Sequence, residues 1–358
     1  MKSGRRWCSV RLTRALAKLL RQAEAVMNGH SSAHSSLSRR RFIGIAGAAA
    51  GLSLLPGGVP AARARTFHWR GVALGADASI QIIHSHAREA RRIIDLAVAQ
   101  IERLEAIFSL YRPDSTLRRL NRDGRLSEPP MELRDLLARA AVVSEVSGGV
   151  FDVTVQPLWE RLARHFAEQP DSDTLPELDG TLALVDWRGV RIDDHEIVFD
   201  RSGMAVTLNG IAQGYITDRV AELLHRNGVD RIALDLGETR AIGRSADGDP
   251  WRVGIPDPMR PSRLIGRLDA SDRAIATSGG YGLLFDRGGR VSHLMNPRNG
   301  ETAPADRSVT VVAGEACLAD AWSTAFALME TGAVGEKARG AGLEVYLAGA
   351  EGTLYRVA

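Results

Sequence analysis

A mixed chain of helices and strands is what this sequence predicts, and three observations predict it. Two long amphipathic helical patterns, one from about Arg88 and one from Met131, occupy the part of the chain that follows an N-terminal leader. Beyond Arg231 the chain reads mostly as short strands bounded by glycine and other turn residues. One nearly continuous apolar stretch, Leu318 to Met329, is long enough for a buried helix among those strands. With 358 residues, 44% hydrophobic and 25% charged, the chain has core enough for one large or two ordinary domains.

The leader is residues 1–64. Ser38-Arg39-Arg40-Arg41-Phe42-Ile43 is a twin-arginine export signature, followed by a Gly/Ala-rich apolar run to Leu55 and a small-x-small cleavage site at Ala62-Arg63-Ala64. The apolar run is shorter than the roughly 20 residues of a membrane span. Export of a folded protein to the periplasm is expected, with residues 65–358 as the folded domain and either Met1 or Met27 as the start. Residues 1–64 hold 11 of the 46 Lys and Arg and 1 of the 43 Asp and Glu, which leaves 35 basic against 42 acidic residues, about −7. That sign excludes a nucleic-acid partner for the folded domain. Cys317 is the one cysteine outside the leader, so neither an intramolecular disulfide nor a cysteine metal site is expected there.

In chain order, Gly71 to Ile83 reads as a strand interrupted by a bulge or close approach at Leu74-Gly75-Ala76. Ile94, Ala97, Ile101, Leu104 and Phe108 recur at helical spacing, and Pro113 enforces a turn after Tyr111. Leu133, Leu136, Leu137 and Ala140 are the buried stripe of a helix over Met131 to Val146, which Ser147-Gly148-Gly149 ends. Val150 to Trp159 has strand-forming residues, with Asp152 either a ligand contact or the cap of the next helix. Glu168 to Asp179 reads as irregular surface chain. Val206 to Tyr215 passes from strand to helix through Asn209-Gly210, and the helical stripe continues to a stop at Asn227-Gly228. Such a turn aims backbone N–H groups and a positive helix end at an anion, although it matches neither a dinucleotide fingerprint nor a phosphate-binding P-loop. Strands follow at Arg231–Leu236, Trp251–Ile255, Leu264–Leu268, Ala274–Tyr281 and Ser308–Ala313, and Leu343–Leu347 with Thr353–Val357 forms a closing hairpin.

Within the apolar helix, which Gly332 is expected to end, Asp320 and Thr324 lie four residues apart on one face with Ser323 beside them. A carboxylate buried there must be satisfied, either by a hard cation that also takes hydroxyl, carbonyl and water oxygens, or by an arginine or a neighbouring loop. The hydroxyl- and glycine-rich turn at Thr277-Ser278-Gly279-Gly280 can wrap an anionic or ribosyl group, or simply be a turn. His293 stands alone before the turn at Pro297.

The order of these segments carries a resemblance. Ala319 to Thr324 (Ala-Asp-Ala-x-Ser-Thr), Ala276 to Gly279 (Ala-Thr-Ser-Gly), Ser292 to Pro297 (Ser-His-x-x-x-Pro), Phe151 to Leu158 (Phe-Asp-Val-Thr-Val-x-Pro-Leu) and Phe108 to Ser115 (Phe-Ser-x-Tyr-Arg-Pro-Asp-Ser) resemble the ApbE family of FAD:protein FMN transferases. Val72 to Ala76, Val155 to Trp159 and Leu208 to Tyr215 resemble its NosX-like branch, associated with nitrous oxide reductase. The resemblance implies a two-lobed α+β enzyme of mixed or antiparallel sheets and packed helices, with FAD as substrate in the cleft and Mg2+ on its pyrophosphate. It implies metal oxygens from Asp320, Thr324 and the Gly210 carbonyl. Leu74, Tyr111, Phe151, Asp152, Thr207 and Gln213 would line the flavin and its phosphate tail, with Thr277, Ser278 and His293 around the phosphates and adenosine. Asp320 and His293 are the implied catalytic pair, His293 taking the proton of an acceptor threonine. The implied partner is an exported flavoprotein domain, such as that of the membrane regulator of nitrous oxide reduction. This chain departs from the family at Thr207 (commonly Asp), Gln213 (Lys or Glu), Leu74 (Met), Asn296 (Asp) and Glu238 (Gly). Those departures keep open an FAD carrier without catalysis, and a metal-dependent FAD pyrophosphatase is the third reading.

Overall fold

The computed structural model describes residues 64–358. The twin-arginine motif and most of the cleavage site therefore lie outside the described residues. β1 (Arg65–Ala73) and β2 (Ala76–His84) form an antiparallel hairpin, not one interrupted strand. Leu74 and Gly75, at φ +47 and +84, make the two-residue turn whose backbone handedness matches strand twist. The glycine signal belonged to that turn.

Helix α1 (Ala87–Phe108) buries the expected stripe, and α2 (Thr116–Asp123), which periodicity did not reveal, starts where Ser115 accepts the Arg118 amide. β3 (Arg125–Ser127) follows, then α3 (Met131–Val146) with the predicted boundaries. The strand expected over Val150 to Trp159 is instead a 3-10 turn (Val153–Val155) running into α4 (Gln156–Glu168). Pro157 explains the outcome: its fixed φ and missing N–H suit the first turn of a helix. α5 (Asp179–Leu182), β4 (Val190–Ile192) and β5 (Glu196–Phe199) come next, and β3, β5 and β4 form a small antiparallel sheet. The Val206–Leu208 stretch is loop rather than strand; it is tied down when Asn121 bonds both the amide and the carbonyl of Val206.

α6 (Ala212–Arg226) leads to β6 (Ile232–Asp235) and β7 (Thr239–Ile242). β8 (Trp251–Asp257) and β9 (Arg260–Ala270) form a separate hairpin, followed by β10 (Arg273–Gly279) and β11 (Ser308–Ala313). α7 (Ala316–Ala327) is the predicted apolar helix. α8 (Thr331–Gly340) starts almost at once, so Gly332 opens a new helix instead of ending the old one. β12 (Glu344–Ala348) and β13 (Leu354–Arg356) close the chain as the expected hairpin.

The main sheet has the order β1-β2-β6-β7-β10-β11-β12-β13, antiparallel throughout. Strand alternation sends Ala274 and Ala276 into the large core with α1, α6 and α7, and sends Ile275 to the opposite face, where Trp251 and Ile255 of the β8–β9 hairpin cover it. A third cluster joins Leu158, Leu162 and Phe166 of α4 to Phe285 and Met295. Among the described residues no helix is long and apolar enough to cross a membrane.

Candidate functional site

α6 and α7 cross so closely that a Cβ on Gly214 would lie 2.3 Å from the Ala316 carbonyl oxygen, so only glycine fits there. Asp218, one turn further along α6, accepts the amides of Ala316 and Cys317 at 2.9 and 2.8 Å and thereby caps α7 from outside. This crossing places Asp320 against the first turn of α6.

The Asp320 side chain is only 3% exposed, and its Oδ2 accepts the Gly214 amide at 3.0 Å. In an uninterrupted helix that amide would serve the Gly210 carbonyl. Here Gly210 precedes α6, and among the described hydrogen bonds none ends on its oxygen. A Cβ on Gly210 would lie 2.9 Å from Thr324 Oγ1, so this backbone sits directly against the threonine hydroxyl. Ser278 joins from β10, its Oγ 2.7 Å from Ser323 Oγ and 3.4 Å from Thr324 Oγ1. One carboxylate, one free carbonyl and several hydroxyls thus converge on a small volume. No Lys or Arg forms an ion pair with Asp320 among the described residues, and burial holds its carboxyl well above the usual carboxylate range. Such a donor set, hard and neutral apart from the acid, suits a cation of the Mg2+ type. No group of three or more His, Cys, Asp or Glu side chains suited to a metal occurs among the described residues.

The remaining expected residues divide. Gln213 immediately precedes Gly214 in the chain, and its side chain packs against Gly237, where a Cβ would fall 2.3 Å from its Nε2. Thr277 and Ser278 point to opposite faces of the sheet; Thr277 Oγ1 pairs with Thr310 Oγ1 at 2.9 Å, away from Asp320. Asp152 resolves toward its structural alternative: Oδ1 accepts the amide and hydroxyl of Thr154 at 2.8 and 2.6 Å, and Oδ2 the Trp187 amide at 3.0 Å. Phe151 is core. The Thr207 amide bonds the Val153 carbonyl at 2.7 Å, which binds the Asp152 turn to the loop carrying Gly210. Tyr111 is 49% exposed and bonds Asn209, so a ring face remains open beside that loop. Leu74 holds a left-handed backbone, its amide donated to Glu105.

His293 directly precedes Leu294, which packs on the large core, and Met295 of the third cluster. Its Nδ1 is 3.2 Å from the Leu283 carbonyl, an acceptor, so the proton sits on Nδ1 and Nε2 keeps its lone pair. Burial lowers its pKa below the usual 6.5.

Sequence reasoning missed Asp218, Glu105 and the setting of Glu238. Glu238 is 8% exposed, receives the Thr277 amide, and feels Asp320 and Asp235. No local pattern joins carboxylates so far apart in the chain.

Comparison with known proteins places this arrangement. Residues 74–347 match the ApbE family. The FAD:protein FMN transferase of Salmonella typhimurium is 28% identical over 293 residues, covering 79% of this chain and 84% of that protein. The Vibrio cholerae FAD:protein FMN transferase is 29% identical over 279 residues, 74% of this chain and 82% of its own. Among solved structures, the apo flavinyl transferase ApbE of Pseudomonas stutzeri superposes with a TM-score of 0.70 at 26% identity, covering 82% of this chain and 95% of its own. The ApbE protein of Thermotoga maritima gives 0.69 at 26% identity, covering 82% and 97%.

Proposed function

This chain belongs to the ApbE family, and from that premise we propose that it transfers FMN from FAD to a threonine hydroxyl of an exported flavoprotein domain and releases AMP. The observation that carries the reading is the diversion of the Gly214 amide to Asp320, which leaves the Gly210 carbonyl without a described hydrogen bond in a backbone that packs against Thr324. The names of the Salmonella and Vibrio relatives support the same chemistry.

In this reaction the acceptor Oγ forms a bond to the FMN-side phosphorus, the pyrophosphate P–O bond breaks, and AMP leaves with the electron pair. Asp320, Thr324 and the Gly210 carbonyl would hold Mg2+, which supplies neutralisation of the pyrophosphate charge. Ser278 and the N-terminal turn of α6 offer donors to phosphate oxygens. Tyr111 stacks the flavin with its exposed face. The acceptor proton passes to His293 Nε2, the nitrogen that the Leu283 contact keeps unprotonated.

The finer parts of the proposal rest on sequence. The twin-arginine motif supports export to the periplasm, and the NosX-like segments support the membrane regulator of nitrous oxide reduction as acceptor. Purified protein incubated with FAD, MgCl2 and that regulator's flavin domain is expected to yield covalent flavin on the acceptor and one AMP per flavin attached. FMN and AMP without labelled acceptor would establish the pyrophosphatase instead, and bound but unchanged FAD the carrier.

A further inference from the structure

Glu238 is a buried acid close enough to Asp320 for the two to interact electrostatically. It occupies the turn between β6 and β7, next to Gly237, whose missing side chain leaves room for Gln213. Gln213 in turn precedes Gly214, the residue that donates to Asp320. On its other side Glu238 receives the amide of Thr277, the neighbour of Ser278, whose hydroxyl contacts Ser323 and Thr324. Two separate chains of contact therefore lead from Glu238 to the cation-type donors. Both acids are more than nine-tenths buried, and neither forms an ion pair with Lys, Arg or His among the described residues. The charged groups that Glu238 feels are Asp320 and Asp235, both acidic. Two buried carboxylates ionised together without a counterion are costly, and the described residues supply none.

We propose that Glu238 is a second carboxylate of the cation site, contributing directly or through a bound water to the affinity of the Asp320–Thr324–Gly210 donors for a divalent ion. The proposal rests on the reading of those donors as a cation site. Where the resemblance places a glycine, this chain adds a carboxyl group that a bound cation would favour in its ionised form, and ligand charge count is a principal determinant of divalent-cation affinity. A solely structural Glu238 would do no more than end the strand by accepting the Thr277 amide, a role that glutamine fills as well.

The test is calorimetric titration of the metal-free protein with MgCl2 and MnCl2, with thermal melts taken with and without each ion. Glu238→Gln keeps the shape and an acceptor oxygen, and is expected to weaken binding of both ions at least about tenfold and to shrink the ion-induced rise in Tm. Glu238→Gly restores the residue of the resemblance and is expected to behave alike, so it decides the matter if the glutamine variant does not fold. Asp320→Ala is the control and is expected to abolish binding. Unchanged affinity in both Glu238 variants, with binding lost in Asp320→Ala, overturns the role of Glu238 while leaving the cation site standing. Unchanged affinity in Asp320→Ala overturns the cation site itself, and this proposal with it.

Discussion

Asp320 is buried without a cationic partner, and its one described hydrogen bond is the Gly214 amide. Asp320→Ala removes the acid of the cation site but leaves an alanine in a helix whose core is already alanine-rich. The orphaned amide costs about 1–3 kcal/mol, offset by the relief of burying a carboxylate. Flavin transfer is expected to vanish while circular dichroism and a cooperative melt persist; full labelling by this variant would remove Asp320 from the reaction. His293 has the opposite protonation tendency. Its lowered pKa means that the unfolded chain takes up the proton first, so this group's contribution to stability is complete above about pH 6.5 and declines as the pH falls below it. By the same shift the folded imidazole stays neutral, and so competent as a base, to below the usual 6.5. His293→Ala is expected to slow transfer by about 100-fold or more and to flatten the acidic limb of the rate profile. An unaltered profile would exclude His293 as the proton acceptor. Helical spacing placed Asp320 and Thr324 on one face but left both the cation and the arginine or loop partner open, and the cation role came from the resemblance. The fates of Asp152, taken by the Thr154 and Trp187 amides, and of Thr277, turned away by strand alternation, depend on tertiary contacts that no local pattern encodes.

Among the elements, the crossing of α6 and α7 does most to build the site. Gly214 permits the approach, and Asp218 satisfies two of the amides that the start of α7 would otherwise leave unpaired. A methyl group at residue 214 would meet the Ala316 carbonyl oxygen at 2.3 Å and the Cys317 nitrogen at 2.7 Å, and neither backbone atom can rotate aside. Gly214→Ala is therefore expected to cost about 3 kcal/mol and to lower Tm and cation affinity together, because the amide that orients Asp320 moves with the helix. A variant as stable as the parent would show that the helices part freely. Periodicity located α1, α3 and the buried strands because each carries a long apolar stripe. It failed at Val150–Trp159, where β-branched residues outvoted the helix-starting Pro157, and at the β1–β2 turn, where Leu74 gave no sign of a left-handed conformation. The short β7 and α2 lack enough residues to show a period.

For the molecule as a whole, the sheet that separates the helical layer from the β8–β9 hairpin brings Gly210, Ser278 and Asp320 together from three regions of the chain. A site assembled this way exists only after folding, so FAD is bound by the finished protein. The proposed twin-arginine export, motivated by the Arg39-Arg40 pair ahead of the apolar run, would carry such a protein across already folded. The charge asymmetry agrees: 11 basic residues lie in residues 1–64, while the remainder is about −7. Replacing Arg39 and Arg40 together by lysine preserves that charge and leaves residues 65–358 untouched, so catalysis by the purified protein is expected to be unchanged. Fractionation of the producing cells is expected to show at least a tenfold loss of the protein from the periplasm, with the uncleaved chain retained inside. Wild-type periplasmic levels in the double variant would refute the proposed twin-arginine export without touching the transferase chemistry, because Arg39 and Arg40 lie outside residues 65–358.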